Sequence, residues 1–290
     1  MNDLSAHFWP APAKLNLMLR IIGRRPDGYH ELQTVFQFLD WGDRLRFTLR
    51  RDGHIRCLPP LPGVPAEQNL VVRAAKALQA HCRTPLGVEI ELEKRLPMGG
   101  GLGGGSSNAA TTLVVLNQLW GCHLDNETLA KLGLTLGADV PIFVHGRAAW
   151  AEGVGERLHP LDPPEPWYLV VQPGCQVATG EIFSHPQLTR DAEPIKIRDF
   201  LAGLDENSCE PLVRRLYPEV DEAIRWLNRH TRGRLTGTGS SVFGAFRHRE
   251  QAQALLDRLP PSMGGFVAKG CNQSPLHGKL NPLVGASPSG

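Results

Sequence analysis

Apolar and polar residues alternate in several short stretches of the chain, and this period of two predicts β-strands. The clearest stretch is 87–96, where apolar residues at 88, 90 and 92 alternate with glutamates at 89, 91 and 93. Such alternation is typical of a strand with one buried and one exposed face. Further strands are predicted at 14–22, 35–39, 45–49, 167–171 and 265–269. The Trp41-Gly42-Asp43 segment is predicted to be a turn between the strands at 35–39 and 45–49.

Other stretches carry apolar residues three or four positions apart, which predicts helices packed on one side. The clearest is 107–120, with apolar residues at 109, 113, 116 and 120. Asn69 and Asp125 stand where N-caps are favoured, and they begin helices predicted over 69–80 and 125–136. Additional helices are predicted near 195–204, 218–230 and 250–258.

The mixed order of strands and helices predicts an α/β (α+β) fold with two domains. A chain of 290 residues that is 41% hydrophobic is long enough for two cores. The Pro-rich stretch at 160–166 marks the boundary, which gives an N-terminal domain of 1–158 and an α+β C-terminal domain of 159–283. A disordered tail is predicted after Leu280, with 284–290 outside both domains.

Charge and cysteine placement exclude several classes of protein. The 31 basic and 29 acidic residues give a net charge of +2, and no basic cluster is interleaved with aromatic residues, which argues against a nucleic-acid-binding module. The six cysteines are dispersed without metal-ligand spacing, which indicates reduced thiols of a cytoplasmic protein. No apolar run approaches 18 residues and no signal-peptide pattern opens the chain, so we expect no membrane partner.

The stretch LPMGGGLGGGSSNAA (96–110) holds six glycines in the seven positions 99–105, between a predicted strand and a predicted helix. Free N–H groups at a helix N-terminus bind anions, and glycines allow a phosphate to approach the backbone closely. A flexible linker would not lie between two firm elements. The stretch therefore predicts a phosphate-binding loop.

Three familiar glycine motifs fit this stretch poorly. A Walker A loop requires Gly-Lys-Ser/Thr, whereas Gly105 is followed by Ser106 and Ser107. Gly99, Gly101 and Gly104 match GxGxxG, but a dinucleotide fingerprint follows a fully buried parallel strand, and 87–96 is half acidic. The other signature motifs of protein kinases are absent from the sequence.

Lys14 in PAKLNL and Asp139 in LTLGADVPIF each have a structural interpretation that is stronger when the residue is taken alone. Lys14 fits a solvated residue of a strand. Asp139 fits the N-cap of a short helix whose first turn contains Pro141.

Gly237 and Gly239 in LTGTGSSVFG fit a tight turn between strands. Tyr29 and His30 likewise fit a turn aromatic and a surface imidazole. Taken one at a time, these motifs leave the structural and functional interpretations open.

The combination of motifs is more specific. The segment from Pro97 to Ser107 resembles the ATP-binding loop of the GHMP kinase superfamily, which includes galacto-, homoserine, mevalonate and phosphomevalonate kinases. The motifs PAKLNL, GRRPDGYHELQTVFQFLD, LPMGGGLGGGSSNAA, LTLGADVPIFV, AEGVGE and LTGTGSSVF follow one another in the order of one branch of this superfamily. The similarity runs from about residue 10 to about residue 280. Two departures, a short connection at 80–86 and the last ten residues, touch no motif.

This resemblance implies a two-domain GHMP kinase fold with the active site in the interdomain cleft. It implies that Asp139 acts as a general base on a substrate hydroxyl and that Lys14 assists it. ATP would be the phosphoryl donor, with Mg²⁺ at its phosphates near Ser106 or Ser107 and no dedicated metal motif in the protein. The ATP-binding residues implied are Asn69, Lys94, Pro97, Met98, Gly99, Gly100, Gly101, Leu102, Gly103, Gly104, Gly105, Ser106 and Ser107.

The branch that carries these motifs implies diphosphocytidyl-methylerythritol as the small-molecule substrate, phosphorylated on its 2-hydroxyl. The substrate-binding residues implied are Asn16, Tyr29, His30, Phe36, Thr179, Phe183, Gly237 and Gly239. The protein is expected to be a monomer or a weak homodimer, with no nucleic-acid partner.

Two alternatives lie within the same superfamily. A kinase of another alcohol, such as homoserine or mevalonate, would have no reason to carry the 23–37 motif. A catalytically silent protein of this fold would not need both Lys14 and Asp139.

Overall fold

The structure, a computed structural model, describes residues 7–284, and within them strands and helices alternate along the chain. The strands are β1 (Trp9–Arg24), β2 (His30–Arg50), β3 (Ile55–Leu58), β4 (Gly87–Glu93), β5 (Ala149–Gly153), β6 (Arg157–Pro160), β7 (Trp167–Gln172), β8 (Arg234–Leu235), β9 (Val242–Phe246) and β10 (Gly264–Cys271). The helices are α1 (Leu70–Cys82), α2 (Gly104–Leu119), α3 (Asn126–Leu134), α4 (Val140–His145), α5 (Thr179–Ser184), α6 (Ile197–Leu201), α7 (Glu210–Leu216), α8 (Pro218–Leu227), α9 (Arg249–Leu256) and α10 (Pro275–Val284). The predicted mixed fold class is confirmed.

The strands form one ten-stranded sheet in the order β3-β4-β2-β10-β7-β9-β8, with β1 and the β5-β6 pair also joined to β2. In β4, Val88, Ile90 and Leu92 are buried, as their alternation with glutamates predicts. β10 is antiparallel to β2 at Gly270↔Leu39 and to β7 along six residue pairs. This strand therefore connects the two halves of the chain within one sheet.

The predicted turn at Trp41-Gly42-Asp43 is wrong, because these residues lie inside the 21-residue strand β2. Gly42 pairs with Pro12 of β1, and a Cβ on Gly42 would lie 2.1 Å from the carbonyl oxygen of Ala11. A glycine is therefore required at position 42, because β1 and β2 approach too closely there for any side chain. Asp43 is fully buried and accepts hydrogen bonds there. Residue types that are common in turns therefore serve strand packing and buried hydrogen bonding in this segment.

The predicted helices near 69–80, 107–120 and 125–136 are confirmed in α1, α2 and α3. The Asn69 side chain accepts a hydrogen bond from Val71 N, and that of Asp125 accepts one from Thr128 N, so both residues cap as expected. Among residues 7–284, every helix is too short or too polar to cross a lipid bilayer. The short elements β3, β5, β6, α5 and α7 were not predicted.

The prediction of disorder immediately after Leu280 is wrong as far as residue 284, because α10 continues to Val284. Residues 285–290, the rest of the predicted tail, lie outside the described residues. Leu276 and Leu280 of α10 are buried in the core formed by the first half of the chain, and α10 contacts β1. Two leucines four positions apart give the helix the apolar face that holds it there.

Three apolar clusters form the core. The first lies between the sheet and helices α1, α2 and α4. The second surrounds α7, α8 and the face of β7 that carries Leu169 and Val171. The third contains Leu15 and Met18 of β1 together with Tyr168, Val170 and Phe243 of the second half. The two halves therefore share buried apolar surface as well as a sheet.

Candidate active site

A cavity of about 870 Å³ lies between the two halves of the chain. Its walls come from β1 and β2, from the glycine loop (97–105), from the residues before α4, from α5, and from a second turn (236–241) of the C-terminal half. The predicted site residues that line it are Lys14, Asn16, Tyr29, His30, Phe36, Asn69, Lys94, Pro97, Met98, Gly99, Gly100, Gly101, Leu102, Gly103, Gly104, Gly105, Ser106, Asp139, Thr179, Phe183 and Gly237. Ser107 and Gly239, which were also predicted, do not line it.

Lys14 lies on β1 and is only 3% exposed, so its interpretation as a solvated strand residue is wrong. Its Nζ lies 3.3 Å from Oδ2 of Asp139. It also donates hydrogen bonds to Asn16 Oδ1 at 2.5 Å and to the Gly101 carbonyl at 3.2 Å. A lysine ammonium has three donors, and each has an oxygen partner here. The ammonium is thereby fixed between the glycine loop and Asp139.

Asp139 occupies the N-cap position of α4, but its side chain caps no N–H group of that helix. The carboxylate instead faces Lys14 and remains 35% exposed at the cavity. The N-cap interpretation therefore accounts for the position of the residue in the chain and not for its side chain. The arrangement places a proton acceptor beside a fixed cation.

The glycine loop depends on backbone conformations that side chains disfavour. Gly99, Gly101 and Gly103 have φ values of +68°, +71° and +71°. Gly103 is the N-cap of α2 and contributes no side chain to the cap. The first N–H groups of α2 are consequently available to a ligand at the end of the helix where the dipole is positive.

The second turn packs directly on the glycine loop. Ser240 N donates to the Gly99 carbonyl and Ser241 N to the Gly100 carbonyl, each at 3.2 Å. A Cβ on Gly101 would lie 2.2 Å from the Thr236 carbonyl oxygen. The loop is therefore held in place by backbone from the other half of the chain, which the sequence did not indicate.

Asp43 is a buried residue of this region that sequence reasoning missed. Its Oδ1 accepts hydrogen bonds from the backbone of Arg95 and Leu96, at 2.7 and 2.8 Å. Its Oδ2 accepts from Lys94 Nζ at 2.8 Å and from Asn108 Nδ2 at 2.9 Å. One carboxylate thus ties the end of β4, the cavity residue Lys94 and the first turns of α2 together.

Replacing Asp43 by alanine is expected to lower the free energy of unfolding by about 3 kcal/mol or more, because two backbone N–H groups and one ammonium lose a buried partner. Urea denaturation measures this change. The matched control is Asp40→Ala, which removes an exposed carboxylate that accepts one hydrogen bond, from Lys269 N. We expect a loss of less than about 1 kcal/mol for the control, and equal losses would contradict the prediction.

The opposite end of the cavity is aromatic. Tyr29 is 61% exposed at the turn before β2, and the ring centroids of His30 and Phe183 lie 5.1 Å apart. Arg190, which was not predicted, donates from Nε to His30 Nε2 at 3.0 Å. Burial, followed by the charges of Arg190 and Arg24, lowers the pKa of His30 below its ordinary value.

Polar groups lie between the two ends of the cavity. Asn16 Nδ2 donates to Thr34 Oγ1 at 2.8 Å, which orients the oxygen of the same amide towards Lys14. The hydroxyls of Thr179 and Thr238 are 3.0 Å apart at the cavity wall. Phe36 lies under Lys14, with its ring centroid 5.5 Å from Nζ.

Two family models match the chain, that of the GHMP kinases N terminal domain at residues 69–147 and that of the GHMP kinases C terminal at 190–264. The chain is 60% identical, over 94% of its length and 95% of the relative, to the 4-diphosphocytidyl-2-C-methyl-D-erythritol kinase of Pseudomonas savastanoi pv. phaseolicola. It is also 60% identical to the enzyme of that name in Nitrosococcus oceani, over 92% of this chain and 96% of the relative. The chain belongs to the 4-diphosphocytidyl-2-C-methyl-D-erythritol kinase family.

A solved structure agrees with this membership. A crystal structure of 4-(cytidine 5′-diphospho)-2C-methyl-D-erythritol kinase matches with a TM-score of 0.80 at 35% identity, covering 91% of this chain and 99% of that one. The predicted superfamily and the predicted GHMP kinase fold are therefore confirmed. Members of this kinase family are phosphotransferases with an alcohol group as acceptor, as the motifs predicted.

Proposed function

We propose that the protein transfers the γ-phosphoryl group of ATP to the 2-hydroxyl of 4-diphosphocytidyl-2-C-methyl-D-erythritol, a step of non-mevalonate isoprenoid precursor synthesis in the cytoplasm. The observation that carries the proposal is the placement of the Lys14–Asp139 pair. Lys14 Nζ bonds to a carbonyl of the glycine loop and lies 3.3 Å from the Asp139 carboxylate. A proton acceptor, a cation and an anion-binding loop thus meet in one cavity.

The ATP phosphates would bind to the backbone of the glycine loop and the first N–H groups of α2. Asn69 and Lys94 line the same end of the cavity and would contact the adenosine. The Asn69 side chain caps α1 through its Oδ1 and also hydrogen-bonds the sulfur of Cys57, so its position at the cavity wall is fixed. Ser107 is fully buried, whereas Ser106 lines the cavity. Of the two serines, we therefore propose Ser106 for contact with the phosphates or their metal.

The acceptor hydroxyl would give up its proton to Asp139. A hydroxyl is a weak nucleophile until its proton is removed, and a positioned base contributes about 10²–10⁴-fold to the rate. Lys14 would stabilise negative charge that develops on the attacking oxygen and on the transferred group. Because Asn16, Gly101 and Asp139 fix its ammonium, this charge is in place before the reaction begins.

Mg²⁺ would bind in this cavity together with the nucleotide phosphates. Within residues 7–284, no three acidic, histidine or cysteine side chains are grouped as metal ligands. Mg²⁺ retains several waters and commonly binds through substrate phosphates with one or two protein oxygens. The Ser106 hydroxyl is the protein oxygen that would take part. Bound there, the ion would neutralise charge on the β and γ phosphates.

The cytidine would occupy the aromatic end of the cavity. Tyr29 and Phe183 offer faces on which a pyrimidine can stack, and His30 can hydrogen-bond the edge of the base. Asn16, Phe36, Thr179 and Gly237 would contact the sugar alcohol and the diphosphate between the base and the reacting hydroxyl. We propose no direct contact for Gly239, because it does not line the cavity.

Mass spectrometry of the cytidyl substrate after incubation with the protein and Mg-ATP tests this proposal. We expect a gain of one phosphate on that substrate and none on homoserine or mevalonate in parallel reactions. Transfer to another alcohol would overturn the substrate assignment while retaining the ATP site. Folded protein that phosphorylates none of the three would overturn the proposed activity.

A further inference from the structure

Arg190 lies outside the cavity lining and behind two residues of the aromatic end. Its Nε donates to the imidazole of His30 at 3.0 Å, and its terminal nitrogen Nη2 donates to the carbonyls of Phe183 and His185 at 2.9 and 2.7 Å. Nη1 donates to the Leu188 carbonyl at 3.1 Å. One guanidinium thus fixes the His30 ring against the segment that carries Phe183.

This contact determines which nitrogen of His30 bears the proton. Arginine remains charged and only donates hydrogen bonds, so a nitrogen that accepts from it carries no hydrogen. Nε2 of His30 is that acceptor. A neutral imidazole with an unprotonated Nε2 has its proton on Nδ1. His30 is only 9% exposed, and burial favours this neutral ring, which keeps its pKa below the ordinary value.

A donor at Nδ1 distinguishes the two common pyrimidines. N3 of cytosine accepts a hydrogen bond, whereas N3 of uracil carries a hydrogen. O2 is an acceptor in both bases, so the distinction requires that Nδ1 meet N3 of the base. A free histidine could meet uracil by moving its proton to Nε2 and accepting at Nδ1. Arg190 blocks that tautomer, because it occupies Nε2 as a donor.

We propose that Arg190 is a positioning residue that makes the nucleobase site selective for cytosine over uracil by holding His30 with its proton on Nδ1. This inference rests on the proposed function, in which the base lies against His30. A site with a fixed donor leaves two donors facing each other when the wrong base binds, and such a mismatch is strongly unfavourable in a buried site.

The test compares kcat/KM for the cytidine diphosphate ester with kcat/KM for the corresponding uridine diphosphate ester. Wild-type protein is expected to prefer cytidine by about 100-fold or more, since sites that pair a buried polar group discriminate strongly. Arg190→Met keeps much of the side-chain length but removes every donor, and we expect it to lower this preference at least tenfold. The matched control is Arg20→Met. Arg20 also donates to a backbone carbonyl, that of Glu193, but it does not touch His30.

A double-mutant cycle separates an action through His30 from general loosening of the site. In a His30→Asn background, Arg190→Met is expected to change the base preference less than twofold. An undiminished effect in that background would overturn the inference. If wild-type protein phosphorylates the cytidine ester and Arg190→Met retains full selectivity, the role of Arg190 fails and the proposed function stands. If wild-type protein phosphorylates neither ester, the proposed function fails first.

A spectroscopic readout covers the case in which Arg190→Met folds poorly. In wild-type protein labelled with ¹⁵N-histidine, the His30 signals, assigned by their absence in His30→Asn, should show a protonated Nδ1 and an unprotonated Nε2. A protonated Nε2 in the wild-type protein would overturn the inference without any variant of Arg190.

Discussion

Replacing Asp139 by asparagine is expected to lower kcat by about 10²–10⁴-fold, because the amide cannot accept the proton of the substrate hydroxyl. The fold should be retained. The carboxylate caps no N–H group of α4 and is 35% exposed, so the helix does not depend on it. Lys14 also keeps its hydrogen bonds to Asn16 and Gly101 in the variant.

Asp125 provides the matched control, because it is also an N-cap aspartate and its carboxylate does cap, accepting from Thr128 N at 2.7 Å. Asp125→Ala should lower Tm and leave kcat unchanged, whereas Asp139→Asn should lower kcat and leave Tm unchanged. Steady-state kinetics and thermal melts of the two variants measure both quantities. Near-normal turnover by Asp139→Asn would remove its role as a base.

Gly103→Ala is expected to lower kcat/KM for ATP by about 100-fold or more, since errors of about 1 Å in a reacting group can cost 10²-fold. The residue has a φ of +71°, and a Cβ there would lie 2.9 Å from Phe143 Cζ and 3.1 Å from Lys14 Cε. Alanine must therefore displace the glycine loop, the Phe143 ring or Lys14. Each displacement disturbs the alignment of the phosphates with Lys14 and Asp139.

The control for backbone strain alone is Gly121→Ala. Gly121 has a similar φ of +64°, but the nearest atom to its Cβ would be His123 Nε2 at 3.8 Å, and it lies outside the cavity. We expect this variant to lose about 1–2 kcal/mol of stability, the cost of a left-handed conformation, and to keep normal kinetics. Equal kinetic losses in both variants would show that backbone strain, and not displacement of the site, accounts for the effect of Gly103→Ala on kcat/KM.

The sequence predicted those features that depend on local patterns. Alternation located β4 and N-cap chemistry located α1 and α3, because these signals are contained in the elements themselves. The glycine loop was also visible, since its composition and its place between a strand and a helix are both local. The pairing of Lys14 with Asp139 required the family resemblance, because the two residues are 125 positions apart in the chain.

The features that were missed depend on contacts between distant segments. Trp41-Gly42-Asp43 has turn composition, and only the neighbouring strand β1 explains why a glycine is required inside β2. Asp43 and Arg190 act through partners that are 51 and 160 positions away, Lys94 and His30. No single stretch of sequence contains such an arrangement. Pattern analysis consequently fails for charged residues that are fully buried, such as Asp43, or partly buried, such as Arg190.

The cluster of Leu15, Met18, Tyr168, Val170 and Phe243, together with the strand β10 that joins β2 to β7, has a consequence for dissecting the protein. Expressing either half by itself would leave an apolar face and an unpaired strand edge in water, which favours aggregation. The first half would also lack α10, whose leucines come from the far end of the chain. Fragments cut at the Pro-rich segment are thus poor reagents for mapping ligand binding, and point substitutions in the intact chain are the suitable ones.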